Sequence, residues 1–467
     1  MAEPNESHSA ETRHPGLLLA LVPVLALVAL LAINVFLFDG YPHLPLVLAT
    51  AVAALVGVRL GYSWESLEEG MIEGIQVSMK AVLILMIIGV LIGLWIAGGI
   101  VPSLIYYGLK VMSPGWFLPA TCLVCAVVSI STGSSWTTAG TVGVALIGIG
   151  DAMGISLSMT AGAVVSGAYF GDKLSPLSDT TNLAPAVAGS DLFDHIRHMI
   201  WTTIPALLIS LVLYLLLGWM AGGQAADQGS VVMIQETLKG SFVISPLLLL
   251  PAVIVVIMVV LKLPALPAML AGALIGALLA LTVQSAPLGD VFNVAFDGFA
   301  PDTGSDQVNE LLEKGGLMGM MNTVALILCA MSFGGVMEKA GMLKAIAESI
   351  LSLARSTGSL ITATVLTCFG MNIIAPDQYL SIVVPGRMYR DAYRKQGLDP
   401  VNLSRTLEDA GTLSSPLIPW NTCGAFMGSV LAVGSFEFLP YAFLNLLTPV
   451  IAILYGFTGW KIIKVES

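Results

Sequence analysis

Asp172, Lys173, Pro176, Asp179 and Asn182 fall within eleven positions of an otherwise apolar stretch, residues 167–189. An acid at membrane depth costs roughly 2.5–3.5 kcal/mol even on insertion scales, so it is kept where a cation, a proton or a fixed partner compensates. Pro176 removes a backbone donor and clashes with the preceding turn, which breaks any helix running through. The freed backbone groups, with Ser175, Ser178, Thr180 and Thr181, supply the hard oxygens that a small cation prefers. Asp179, flanked by hydroxyl residues and close to Asn182, is the leading expected ligand, with Asn182 beside it. Its bland reading is compatible: an N-cap for a half-helix starting near Leu183. Asp172 reads as a second proton or cation carrier, or as the counter-ion of Lys173. Lys173 reads as a modulator whose ammonium replaces a missing cation, or as half of a static ion pair.

A second group lies in the C-terminal half. Asp377 is the only acid of the turn at 371–378, and Pro376 fixes its bend. Residues 411–422 repeat the break chemistry, with Pro416 and Pro419 unwinding and Ser414, Ser415, Asn421 and Thr422 offering neutral oxygens. The stretch 131–138 adds Ser134, Ser135, Thr137 and Thr138, with Trp136 as a packing anchor. Other acids read blandly: Asp151 and Asp391 as caps, Glu338 as a helix end beside Lys339. Glu408 and Asp409 precede the second break, where they line a pathway or sense proton supply. His195 and His198 have HxxH spacing but lack the glutamate of a zinc hydrolase. They are expected at a basic membrane edge, in a topological role or as a pH sensor.

These residues need positioning elements, and composition says which kind. Of 467 residues, 56% are hydrophobic and only 10% charged, against about 25% charged in a soluble domain. Apolar runs at Leu17–Phe38, 81–100, 200–220, 244–261 and 266–283 reach the ~18 residues of a spanning helix. The first run is too long for a signal-peptide core and is retained as a span. The chain is expected to be an all-α polytopic membrane protein. The net charge of −11 gathers partly in one polar loop, with six acids from Asp290 to Glu313. Five cysteines, Cys122, Cys125, Cys329, Cys368 and Cys423, lie in apolar segments and read as core thiols. No cofactor is called for, and nothing calls for nucleic acid.

A shift of 240 places Asp151 on Asp391, Gly171 on Gly411, and Ser175, Pro176 and Leu177 on Ser415, Pro416 and Leu417. The halves are read as duplicates. Arg390, Arg394 and Lys395 make one loop basic where its counterpart, 147–165, has no Lys or Arg; the bias reverses one segment later, at 194–198. Since positive loops stay cytoplasmic, the repeats are expected to be inverted, each with a re-entrant hairpin and a broken helix. Threaded so, both termini are cytoplasmic; Lys80, Arg13 and Lys262 count among the inside charges, and only Lys110, Lys239 and Lys314 lie outside. The expected division is a tail (1–16), scaffold helices (17–80), a first repeat (81–220), scaffold helices with the acidic external loop (221–317), a second repeat (318–460) and a tail (461–467).

Residues 167–203, with 133–138 and 141–145, resemble the signature of the NhaC family of bacterial sodium/proton antiporters. The match extends over most of the chain. The resemblance implies inverted repeats, hairpins and an elevator-type motion of a transport domain against a scaffold, in a bacterial cytoplasmic membrane, and it is compatible with a homodimer. Expected cargo is Na+ and H+, with Asp179 and Asn182 holding Na+ and the two cations competing for buried carboxylates. NhaC-like relatives also include exchangers of organic acids and amino-acid transporters, so a sodium-coupled carrier of a carboxylate or amino acid is the alternative. The lack of arginine at either break counts against it. An intramembrane enzyme would need a nucleophile–base pair or a metal triad at depth, and neither is written in the sequence.

Overall fold

The computed structural model describes residues 14–38, 40–222, 228–261 and 263–465. Arg13 and Lys262, counted above as inside charges, lie outside the described residues. Those described form helices and their connections, with one isolated bridge between Leu398 and Lys464. The chain opens with α1 (Leu17–Phe38), α2 (His43–Arg59), α3 (Trp64–Ala97) and α4 (Ile100–Val111). A first hairpin follows: α5 (Pro114–Thr132), a tip at Gly133 and Ser134, then α6 (Ser135–Thr138), a π-turn and α7 (Val144–Ala152). The first broken helix is α8 (Leu157–Leu174) and α9 (Asp179–Ala188), and α10 (Leu192–Gly222) is a long span.

Between the halves lie α11 (Gln228–Ser241), α12 (Leu250–Val260), α13 (Ala265–Thr282), α14 (Leu288–Asp297) and α15 (Asp306–Leu312). After α16 (Met321–Lys339) and α17 (Met342–Leu351), a second hairpin is made by α18 (Thr357–Ile374) and α19 (Gln378–Lys395). The second broken helix comprises α20 (Pro400–Leu407), a π-turn at Glu408–Thr412, a 3-10 turn at Ser415–Leu417, and α21 (Thr422–Leu431). The short α22 (Ser435–Phe438) and α23 (Phe443–Thr458) complete the described chain.

Among the described residues, seven helices are long and apolar enough to cross a membrane, and up to nine spans result if each sharply bent pair counts as one. The expected runs mostly reappear. That at 81–100 is only the apolar end of α3, which starts at Trp64 and passes through the boundary expected at 80 without a break. Glu65, Glu68, Glu69, Glu73 and Lys80 hide its first half from a hydropathy reading. Its 34 residues extend about 50 Å, longer than the ~30 Å hydrocarbon core, so a polar end projects. There Lys339 of α16 bonds Glu69 and Glu73 at 2.9 and 3.2 Å. The run at 244–261 is also not a simple span: it bends by 96° against α11. The acidic loop contains α14 and α15. Asp151 and Asp391 cap no helix start, because both lie inside helices, α7 and α19.

Packing around the breaks is close. α8 lies on α5 so tightly that a Cβ at Gly167 would collide with the Cys122 carbonyl, and one at Gly171 with the Ile130 amide. Small residues permit this approach between membrane helices. Ser129 and Ser175 tie the pair further, donating to the carbonyls of Ala168 at 2.5 Å and Ile130 at 2.7 Å. The first hairpin and the first broken helix therefore behave as one packed unit.

Candidate cation-binding site

Each interruption ends where a new helix starts, and each start is capped by a side chain. Ser134 accepts from the Thr137 amide at 3.1 Å and Ser178 from that of Thr181 at 3.4 Å. Asp377 accepts from the amides of Tyr379 and Leu380 at 2.8 and 3.2 Å, and Asn421 from that of Cys423 at 3.0 Å. These are the residue types that satisfy the orphan amides of a first turn. The spacing is regular: Asp377 lies 243 positions after Ser134, and Asn421 lies 243 after Ser178. The same interval relates Ser135 to Gln378 and Asp172 to Ser415, and within each half the two residues are bonded to each other. The Ser135 hydroxyl donates to Asp172 Oδ2 at 2.6 Å, and the Ser415 hydroxyl to Gln378 Oε1 at 3.0 Å. The shift of 240 follows residue identities; the caps follow 243, because the second break contains a 3-10 turn that places its Ser-Pro-Leu earlier relative to the cap.

A cavity of about 690 Å³ opens among these starts. Ser134, Ser135, Asp172, Ser178, Asp179, Thr180, Asp377 and Thr422 line it, opposite an apolar wall from α3 and from residues 259 and 263–266. Asp172 and Asp377 are 6% and 3% exposed. Asp172 also accepts from the Ser135 amide at 3.2 Å; Ser178 and Thr422 share the cavity lining with the two acids. Helix N-termini alone would favour an anion. Two carboxylates reverse the local sign and make the floor of the cavity a place for positive charge.

Asp179 is placed differently from expectation. Its side chain is 60% exposed at the mouth, 2.9 Å from Lys80, and accepts a 3.2 Å hydrogen bond from the Tyr379 hydroxyl. The cause is local: Ser178, not Asp179, is the cap, and α9 begins at Asp179 rather than near Leu183. Several expected oxygens are used inside the fold. Thr181 donates to the carbonyls of Asp172 and Lys173, each at 3.0 Å, and Asn182 to that of Pro176 at 2.8 Å. Ser414 donates to Ala410 at 2.6 Å, while Asn421 donates to Asn372 at 2.9 Å, knitting the second hairpin to the second break. Trp136 stacks on Phe426, ring centroids 4.0 Å apart.

Lys173 does not pair with Asp172. It is fully buried and bonded to Asp409, which also accepts from Thr202 at 3.0 Å. His195 and His198 are buried as well: His195 Nδ1 is 2.9 Å from the Ser404 hydroxyl, and Arg405 donates to His198 Nε2 at 2.8 Å. The sequence reading missed Lys80, Gln378 and Tyr379 as lining residues. Gln378 was in the turn already singled out, and its correspondence in position with Ser135 appears only at the interval of 243. Nothing in the sequence marks Lys80 or Tyr379.

Membrane-length helices, two interrupted spans and a polar centre built from their ends define a multi-pass membrane protein of the transporter class. The Na+/H+ antiporter family matches residues 16–168 and 167–460, and the chain belongs to that family. It is 42% identical to the Na(+)/H(+) antiporter NhaC of Alkalihalophilus pseudofirmus, over 94% of this chain and 95% of that one. It is 39% identical to the malate-2H(+)/Na(+)-lactate antiporter of Bacillus subtilis, over 95% of each. A third relative, the arginine/ornithine antiporter ArcD of Halobacterium salinarum, is 40% identical over 96% of this chain and 93% of its own. These relatives are antiporters, so the protein is a transporter and not an enzyme, and its family supports cation antiport.

Proposed function

We propose that the protein exchanges cytoplasmic Na+ for external H+ across a bacterial cytoplasmic membrane, with both termini inside, by alternating access. The observation that carries this reading is a single one: Asp172 and Asp377, from different halves of the chain, line one cavity among four capped helix starts. Na+ and protons take turns on these two carboxylates, assisted by Ser134, Ser135, Ser178 and Thr422, while Asp179 with Lys80 guards the mouth. A carboxylate pair left empty inside a membrane is costly, so the loaded states are the ones that cross. The recurrence at 243 and the reversed charge bias of the loops support two inverted repeats, and an elevator-like displacement of the hairpin and broken-helix unit against α3, α13 and α16 is the motion that suits them.

Purified protein in proteoliposomes carrying a pH gradient tests this. Adding Na+ dissipates the gradient in the wild type and not in Asp172→Asn; dissipation at the wild-type rate by the variant would overturn the assignment.

A second reading is favoured by the cavity itself, which has far more room than a bare cation fills and presents helix N-termini and Lys80 that suit a carboxylate. Two of the relatives bear the names of exchangers of malate and lactate or of arginine and ornithine. On this reading Na+ is coupled to a small carboxylate or amino acid. Sodium-dependent uptake of labelled lactate, malate or arginine separates it from simple cation exchange.

A further inference from the structure

Glu408 opens the π-turn of the second half and is fully buried. It does not line the cavity. Its Oε1 accepts a 2.9 Å hydrogen bond from Thr180, whose hydroxyl is 3.1 Å from that of Ser178, and Thr180 and Ser178 line the cavity together with Asp172. Two hydroxyls of the cavity lining, those of Ser178 and Thr180, thus stand between the cavity that holds Asp172 and a second acid behind it. Glu408 Oε2 and the neighbouring Thr412 hydroxyl make no hydrogen bond among the described residues.

Glu408 sits in a buried cluster of titratable groups, to which α10 contributes His195, 2.9 Å from the Ser404 hydroxyl, and His198, which accepts from Arg405 at 2.8 Å. From α8 come Lys173, bonded to Asp409, and Asp172; Arg405 of α20 has Nε 3.8 Å from Asp409. α18 contributes Cys368, and α19 and α23 contribute the buried phenols Tyr389, Tyr393 and Tyr455. The charges of α19 beyond its cap, from Arg387 to Lys395, are exposed. Lys173 and Arg405 against Asp409 leave one positive charge in excess. An ionised Glu408 cancels it; a protonated Glu408 does not.

We propose that Glu408 is a proton-binding site separate from the Asp172–Asp377 pair, linked to it through the Thr180 and Ser178 hydroxyls, and that a proton held there disfavours Na+ at Asp172. The sign follows from Coulomb's law: protonation restores the excess positive charge beside the cation, in an interior where such charges are weakly screened. Two carboxyl sites then release protons when Na+ binds, one by direct displacement and one through the field. This inference deepens the proposed function and rests on Asp172 as a cation ligand.

Proton release on Na+ addition, counted with a pH-indicator dye on the full-length protein in weakly buffered detergent, tests it. The wild type releases protons, and Asp172→Asn neither binds Na+ nor releases any. Glu408→Gln still binds Na+, about tenfold more weakly because the neutral amide leaves the positive charge uncancelled, and near the Glu408 midpoint it releases about half a proton fewer, the most that a tenfold coupling displaces. A Glu408→Gln protein with wild-type affinity and wild-type proton count overturns the proposal. A wild type that binds Na+ without releasing protons sinks the exchange reading instead, which keeps the two failures apart. Should Glu408→Gln not elute as a monodisperse protein, Thr180→Val takes its place: removing the hydroxyl link moves the pH midpoint of proton release, and an unmoved midpoint overturns the proposal.

Discussion

Asp172 and Asp179 are seven residues apart on either side of one break, yet they occupy different worlds. Asp172 is enclosed and held by Ser135; Asp179 is mostly exposed and shares its charge with Lys80. Exposed ion pairs contribute about 0–1 kcal/mol, so Asp179→Asn is expected to weaken apparent Na+ affinity by no more than about fivefold in the proteoliposome assay. Complete loss of exchange in that variant would move the ligand to the mouth and contradict the placement at the floor. Residue types alone could not separate the two acids. Both are carboxylates near hydroxyls and prolines, and the deciding fact is which residue caps α9. Ser178 does, which pushes Asp179 outward by one position.

At the scale of elements, the caps set the geometry. Ser178→Ala removes the acceptor for the Thr181 amide, and loss of an N-cap costs about 1 kcal/mol. The expected outcome is a modest fall in melting temperature, with Na+ exchange slowed because Ser178 also lines the cavity that holds Asp172. An unchanged melting temperature would show that the cap is dispensable. The interruptions themselves were legible: Pro176, Pro376, Pro416 and Pro419 cannot continue a helix, and each lies between a helix end and the next start. The phasing of the halves was not. Identities aligned Ser175 with Ser415, but Ser175 closes α8 against Ile130, whereas Ser415 sits within a 3-10 turn and bonds Gln378. Hydropathy also lost the first half of α3, whose acids are at home on a helix end that leaves the bilayer. Burial of Lys173 against Asp409, 236 residues away, is a long-range pairing that no local pattern announces.

At the scale of the molecule, the reading requires two halves of opposite orientation that bring their breaks to one cavity. Single cysteines at Ser156→Cys and Arg394→Cys, in a background without the native five, are expected to react with an impermeant maleimide from opposite faces of the membrane. Labelling of both from one face would end the inverted arrangement. The family was legible from the motif at 167–203 and covers nearly the whole chain; the cargo was less so, because relatives of similar identity carry different names. The central claim is that Na+ and protons cannot occupy the Asp172–Asp377 pair together. Na+ binding to the purified protein, measured across a range of pH, tests it most directly. Affinity should rise with pH, about tenfold per unit for each proton displaced, and level off once the carboxylates are ionised. A Na+ affinity that stays constant through the pH range in which the protein transports would contradict it.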